Sequence, residues 1–97
     1  METLQVNIEN LREEIDDIDN RIIELLGERM HRVAEIGKIK KINEIEIYHP
    51  DREISLIQNL LARSTATGVD EKMVLSIWNE IMKASRQVQF DIRMGNE

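Results

Sequence analysis

The 97 residues make room for one small domain and exclude a separate cofactor-binding domain beside a catalytic one, so residues 1–97 are read as a single domain. The 13 Lys and Arg against 19 Asp and Glu leave a formal net charge of -6, which argues against a nucleic-acid or anionic-membrane surface. With no cysteine, disulfides, thiolate zinc sites and thiol nucleophiles are excluded together, and His31 and His49 stand in no metal-binding spacing, so no metal is expected.

Apolar residues reach 41% but aromatics only 3%, so any core must be aliphatic. No apolar run is long enough for a signal peptide or a membrane span, and a cytoplasmic protein is expected. From Ile8 to about Lys41 the positions Leu11, Ile15, Ile18, Ile22, Leu25, Val33 and Ile36 recur at threes and fours without a proline, which predicts one long helix. Gly27 and Gly37 each cost that helix about 1 kcal/mol against Ala but stand beside no turn residues. Such a helix would be about 50 Å long, whereas a compact chain of this size has a radius of gyration near ~13 Å. It is expected to overhang its own domain.

Asn43 to His49 break the helical period and read as a loop or short extended piece. Pro50, followed by Asp51 and Glu53, marks the start of a second, short helix whose face is Ile54, Ile57 and Leu61. It fades through Ser64 to Gly68, a C-terminal stop, and Asp70 is the expected N-cap of a third helix. There Val74, Trp78, Ile81, Ser85, Val88 and Ile92 keep the spacing down to an end at Gly95-Asn96. The expectation is an all-α chain of three helices: long, short, long.

Polar groups interrupt these stripes. Arg29 and Lys40 occupy stripe positions of the first helix, eleven residues and about three turns apart, so they project from one face. A lone cation in such a place usually snorkels to water. In the third helix Ser85 lies on the stripe and Gln89 one turn later beside Val88, where aliphatic side chains would pack better. Arg12 sits beside Leu11 in the first turns of the first helix, and Arg52 with Glu53 opens the second. Arg12 and Arg29 are seventeen residues apart, about 25 Å along a straight helix, so one small ligand cannot touch both from the same chain. A crossing partner helix would bring a second copy of Arg12 back to Arg29, and the site would then span a dimer interface. Arg12, Arg29, Lys40 and Arg52, with Ser85, Gln89 and Glu53 as orienting groups, describe a pocket for a small polyanion: guanidinium pairs bind carboxylates bidentately and Lys supplies a movable charge. No nucleophile with an adjacent base, metal set or phosphate loop accompanies them, so the chemistry would run on positioning and electrostatics.

Over nearly its whole length the sequence resembles the all-helical (AroQ-class) chorismate mutases of the short bacterial and archaeal kind. The matching pieces are Leu11-Arg12-Glu13-Glu14-Ile15-Asp16 with Ile18-Asp19, Leu25-Leu26-Gly27-Glu28-Arg29, Ala34-Glu35-Ile36-Gly37-Lys38-Ile39-Lys40, Asp51-Arg52-Glu53, and Ser85 with Gln89. Each piece is weak, but the ordered, ungapped set is specific. The resemblance implies an intertwined six-helix homodimer with two sites and a cofactor-free [3,3]-rearrangement of chorismate to prephenate, the branch step towards phenylalanine and tyrosine. It also implies roles. Arg12 of the partner subunit, Arg29, Arg52 and Ser85 would hold the two carboxylates, Lys40 and Gln89 would donate to the ether oxygen, and Glu53 would take the ring hydroxyl. The family often has an acidic residue three positions before the helix-two arginine; here that position is His49, a substrate-binding candidate on that ground. Competing expectations are an isochorismate-pyruvate lyase of the same fold and a non-catalytic helical dimerisation module. Glu53 favours the mutase over the first. Polar residues at near-core positions, which would weaken a purely structural bundle, count against the second.

Overall fold

A computed structural model describes residues 2–95, and Asn96 of the expected C-terminal end lies outside the described residues. Three helices follow in order, α1 (Glu2–Ile42), α2 (Pro50–Thr67) and α3 (Glu71–Arg93), and no strand occurs among the described residues. The long, short, long expectation holds. Helix α1 begins six residues before the expected Ile8, because Glu2 to Asn7 contain no breaker and Leu4 carries the apolar spacing further back.

The helix ends have identifiable causes. At the end of α1 the N–H of Ile45 donates to the Lys40 carbonyl at 2.8 Å and that of Glu44 to Lys41 at 3.4 Å, a Schellman pattern with Glu44 in the left-handed region at φ 55°. Asn43 adds a side-chain bond to the Ile39 carbonyl at 2.8 Å. Helix α2 has Pro50 in its first turn with Asp51 and Glu53, and it closes on Gly68 at φ 76°, whose N–H donates to the Ser64 carbonyl. Rather than fading from Ser64, α2 keeps its hydrogen bonds to Thr67, and the buried Ser64 hydroxyl donates to the Val69 carbonyl just past the cap. Asp70 caps α3 as expected, its carboxylate accepting from the Met73 N–H at 3.1 Å.

The chain divides into two compact units, one ending at Arg32 and the other beginning at Val33. The first unit is helix α1 up to Arg32. Its stripe of Leu4, Ile8, Leu11, Ile15, Ile18, Ile22 and Leu25 is between 49% and 66% exposed. The second unit holds the last turns of α1, the loop, α2 and α3 around a small core of Val33, Val74, Met82 and Ile92. Buried among these aliphatic residues are Ser85 and Gln89, 7% and 8% exposed.

Candidate active site

The second unit's polar centre begins at Gly37. A Cβ there would lie 3.2 Å from Gln89 Cγ and from Ile92 Cδ1, and 3.3 Å from Gln89 Cα, so the missing side chain lets the α1 backbone lie directly against α3. One turn later Lys40 Nζ donates to Gln89 Oε1 and to the Ile47 carbonyl, both at 2.9 Å. An ammonium can only donate, so this contact fixes the amide with its oxygen towards Lys40 and leaves Nε2 as the donating end. Half-buried Lys40 has its pKa lowered from the ordinary lysine value, first by burial and second by the positive charge of Arg93.

Arg93 is one turn beyond Gln89. Its Nη2 donates to the Ile45 carbonyl, and its buried Nε has no hydrogen-bond partner among the described residues. Ser85, one turn before Gln89, donates its hydroxyl to the Ile81 carbonyl at 2.7 Å. In the first turn of α2, Glu53 receives Arg86 Nη1 on both carboxylate oxygens, at 2.6 and 2.7 Å, and the same guanidinium lies 5.7 Å from the centroid of the Tyr48 ring.

Of the residues singled out from sequence, the fold brings Lys40 and Gln89 into direct contact and puts Ser85 on the same buried stretch of α3. Arg52 is exposed at the start of α2. His49 precedes Pro50, and its ring nitrogen Nε2 lies 2.7 Å from the Glu46 carbonyl; because a carbonyl only accepts, Nε2 carries the proton and the ring closes its own loop. In the first unit Arg29 is half-buried and Arg12 exposed; His31 is exposed. Sequence reasoning missed Arg86 and Arg93. For Arg93 a signal existed, since Ser85, Gln89 and Arg93 follow one another in steps of four. Arg86 carries no such mark beyond following Ser85.

Among the described residues no cluster of three His, Cys, Asp or Glu is placed to hold a metal ion, and no helix is long and apolar enough to cross a membrane. What the arrangement offers is a fixed ammonium and a fixed amide donor side by side, with the Arg93 guanidinium nearby, in a half-desolvated place.

The family model of chorismate mutase type II matches residues 11–90, and the chain belongs to that family. Among curated relatives it is similar to a T-protein of Haemophilus influenzae, 30% identical over 80% of this chain and 21% of that protein. A bifunctional chorismate mutase/prephenate dehydratase of Aquifex aeolicus is 31% identical over 91% of this chain and 25% of its own length. A chorismate mutase of Methanocaldococcus jannaschii is 28% identical over 81% of this chain and 80% of that protein. The chain thus spans about a fifth of the length of the T-proteins it matches. No solved structure gives a significant match.

Removing Arg93 tests the local electrostatics. The lowered Lys40 pKa rises towards the ordinary lysine value in Arg93→Gln and stops short of it, because burial, the larger cause, remains. Heteronuclear NMR titration of the Lys40 side chain in both proteins measures the two midpoints.

Proposed function

We propose that this chain is a cytoplasmic chorismate mutase that catalyses the [3,3]-rearrangement of chorismate to prephenate, with residues 1–97 acting as one domain. The observation that carries the reading is the Lys40–Gln89 contact at 2.9 Å, which places an ammonium and an amide, both hydrogen-bond donors, side by side. The reaction breaks one carbon–oxygen bond as a carbon–carbon bond forms within a single molecule. No electron or group leaves, and no cofactor is required.

Arg29 and Arg52, with Ser85 and Arg12 of the partner subunit, hold the two carboxylates and select the folded diaxial conformer of the substrate. To serve there, the Ser85 hydroxyl turns its proton from the Ile81 carbonyl to the ligand. Lys40 and Gln89 donate to the ether oxygen as its bond lengthens; preorganised donors of this kind contribute about 3 kcal/mol each, a factor of hundreds in rate. Glu53 accepts the ring hydroxyl. His49 belongs to the site through the backbone of the loop, since its ring is engaged with Glu46.

The dimer is proposed on the exposed stripe from Leu4 to Leu25, an apolar helix face of the kind that a second copy covers. The shared site is proposed on the distance between Arg12 and Arg29, about 25 Å along α1. The direct test of the activity follows the absorbance of chorismate and identifies the product. Prephenate is the expected product; salicylate and pyruvate from isochorismate, with slow turnover of chorismate, would overturn the reading in favour of the lyase.

Two variants probe the roles. Arg12→Ala and Lys40→Ala homodimers are each expected to lose nearly all activity. Co-refolding them gives heterodimers with one doubly defective and one intact site, and up to half the parent activity per heterodimer returns. Persistent inactivity of verified heterodimers places Arg12 in its own chain's site.

Gln89→Glu is expected to be nearly inactive at neutral pH and to recover on acidification, while the parent changes much less. An amide donates at every accessible pH, whereas a carboxyl donates only when protonated, and the adjacent Lys40 ammonium favours its anionic form. Profiles of kcat/KM against pH, with circular dichroism confirming the fold, make the comparison. A variant as active as the parent at pH 8 would leave Lys40 as the sole donor.

A further inference from the structure

We propose that Arg86 is a positioning residue that holds the Glu53 carboxylate and neutralises it, so that an acidic group can accept a hydroxyl inside a pocket built for a dianion. The inference rests on the reading of Glu53 as the acceptor of the substrate's ring hydroxyl.

Two observations and one argument from charge support it. First, the geometry leaves Glu53 free to act. Arg86 Nη1 meets the two carboxylate oxygens at 2.6 and 2.7 Å, so one nitrogen straddles the group almost symmetrically. An ionised carboxylate offers about four lone-pair sites, and the two N–H groups of one nitrogen engage about half of them. The remainder can accept a hydroxyl without displacing the arginine.

Second, the guanidinium is held from more than one side. It lies 5.7 Å from the centroid of the Tyr48 ring, within cation–π range, while its nitrogen grips Glu53. Tyr48 comes from the loop, Glu53 from the first turn of α2 and Arg86 from α3, so the contact ties together three segments that frame the site. The side chains of Arg86 and Glu53 are 38% and 23% exposed, less open than a surface pair surrounded by water. Arg86 also follows Ser85 and precedes Gln89 by three positions, which puts it beside the polar face of α3.

Third, charge requires a partner of this kind. A bare carboxylate repels a substrate carrying two carboxylates, and in a half-desolvated place the repulsion is several times that in water. Paired with Arg86, Glu53 brings no net charge to the pocket while its oxygens stay available.

The test is a double-mutant cycle on the active chain with Arg86→Gln, Arg86→Lys, Glu53→Gln and the double variant Arg86→Gln/Glu53→Gln, reading KM and kcat for chorismate separately. Arg86→Gln is expected to raise KM about tenfold with a smaller change in kcat, the scale of one charge-assisted contact. Arg86→Lys keeps the charge without the planar fork and recovers part of that loss. Glu53→Gln costs much less in the Arg86→Gln background than in the parent, because the carboxylate to be neutralised is gone. An unchanged KM in Arg86→Gln, or two effects that simply multiply, overturns the role of Arg86. If Arg86→Gln does not fold by circular dichroism, the KM of Arg86→Lys decides: a rise with kcat retained supports the role, and parent values overturn it. A parent chain inactive on chorismate overturns the hydroxyl reading and this one with it; an active parent with an unresponsive Arg86→Gln overturns this one alone.

Discussion

Lys40 reaches Gln89 because the backbones of α1 and α3 approach at Gly37, where a side-chain carbon would fall 3.2 Å from Gln89 Cγ. That approach sets everything downstream. It brings the last turn of α1 close enough for the ammonium to orient the amide, and the same ammonium then captures the Ile47 carbonyl and fixes the loop. Helix propensity alone disfavours glycine at that position by about 1 kcal/mol. The cost is offset by a close contact in which any added side chain would force Gln89 and Ile92 to give by a few tenths of an ångström.

The loop from Asn43 to His49 leaves Ile45 and Tyr48 largely exposed, and basic side chains hold it instead. Lys40 binds the Ile47 carbonyl, Arg93 the Ile45 carbonyl, and Arg86 covers the ring of Tyr48. All three are cations that belong to the polar centre. An acidic protein of net charge -6 therefore concentrates positive charge at one place and uses it twice, for loop order and for the environment of the site. The consequence is visible at Lys40, whose ammonium is disfavoured by burial and by Arg93. A dianionic ligand would reverse that bias, because its own charge favours the protonated lysine.

The helices were legible because each is amphipathic, and the ends of α2 and the start of α3 because proline, Gly68 and Asp70 carry local chemistry strong enough to read. The end of α1 was legible only as a loss of period. Its Schellman cap places Glu44 at φ 55°, where glycine is the usual signal, and backbone hydrogen bonds carry the strain. In the site, Lys40, Ser85 and Gln89 stood out because polarity on an apolar stripe is a contradiction that the sequence displays openly. Arg86 and Arg93 did not, since an arginine beside a stripe is indistinguishable from a solvated one until its partner is known. Those partners are a glutamate thirty-three residues away and a backbone carbonyl forty-eight residues away, and no periodicity encodes either.

At two places in this chain burial runs opposite to hydrophobicity. Gln89 is 8% exposed and Ser85 7%, while Leu11 is 57% and Leu25 61% exposed. Folded domains ordinarily bury Leu and expose Gln, because apolar area removed from water contributes about 25 cal/mol per Å² and a buried amide is destabilising unless it is hydrogen-bonded. The inversion at Gln89 is resolved within the chain, by Lys40. The inversion at the α1 stripe is not, and the proposed second copy resolves it by covering that face. Assembly and site completion then become one event, because Arg12 flanks the face that buries Leu11. Stability and activity should accordingly share a dependence on protein concentration, which a site closed within one chain would not show.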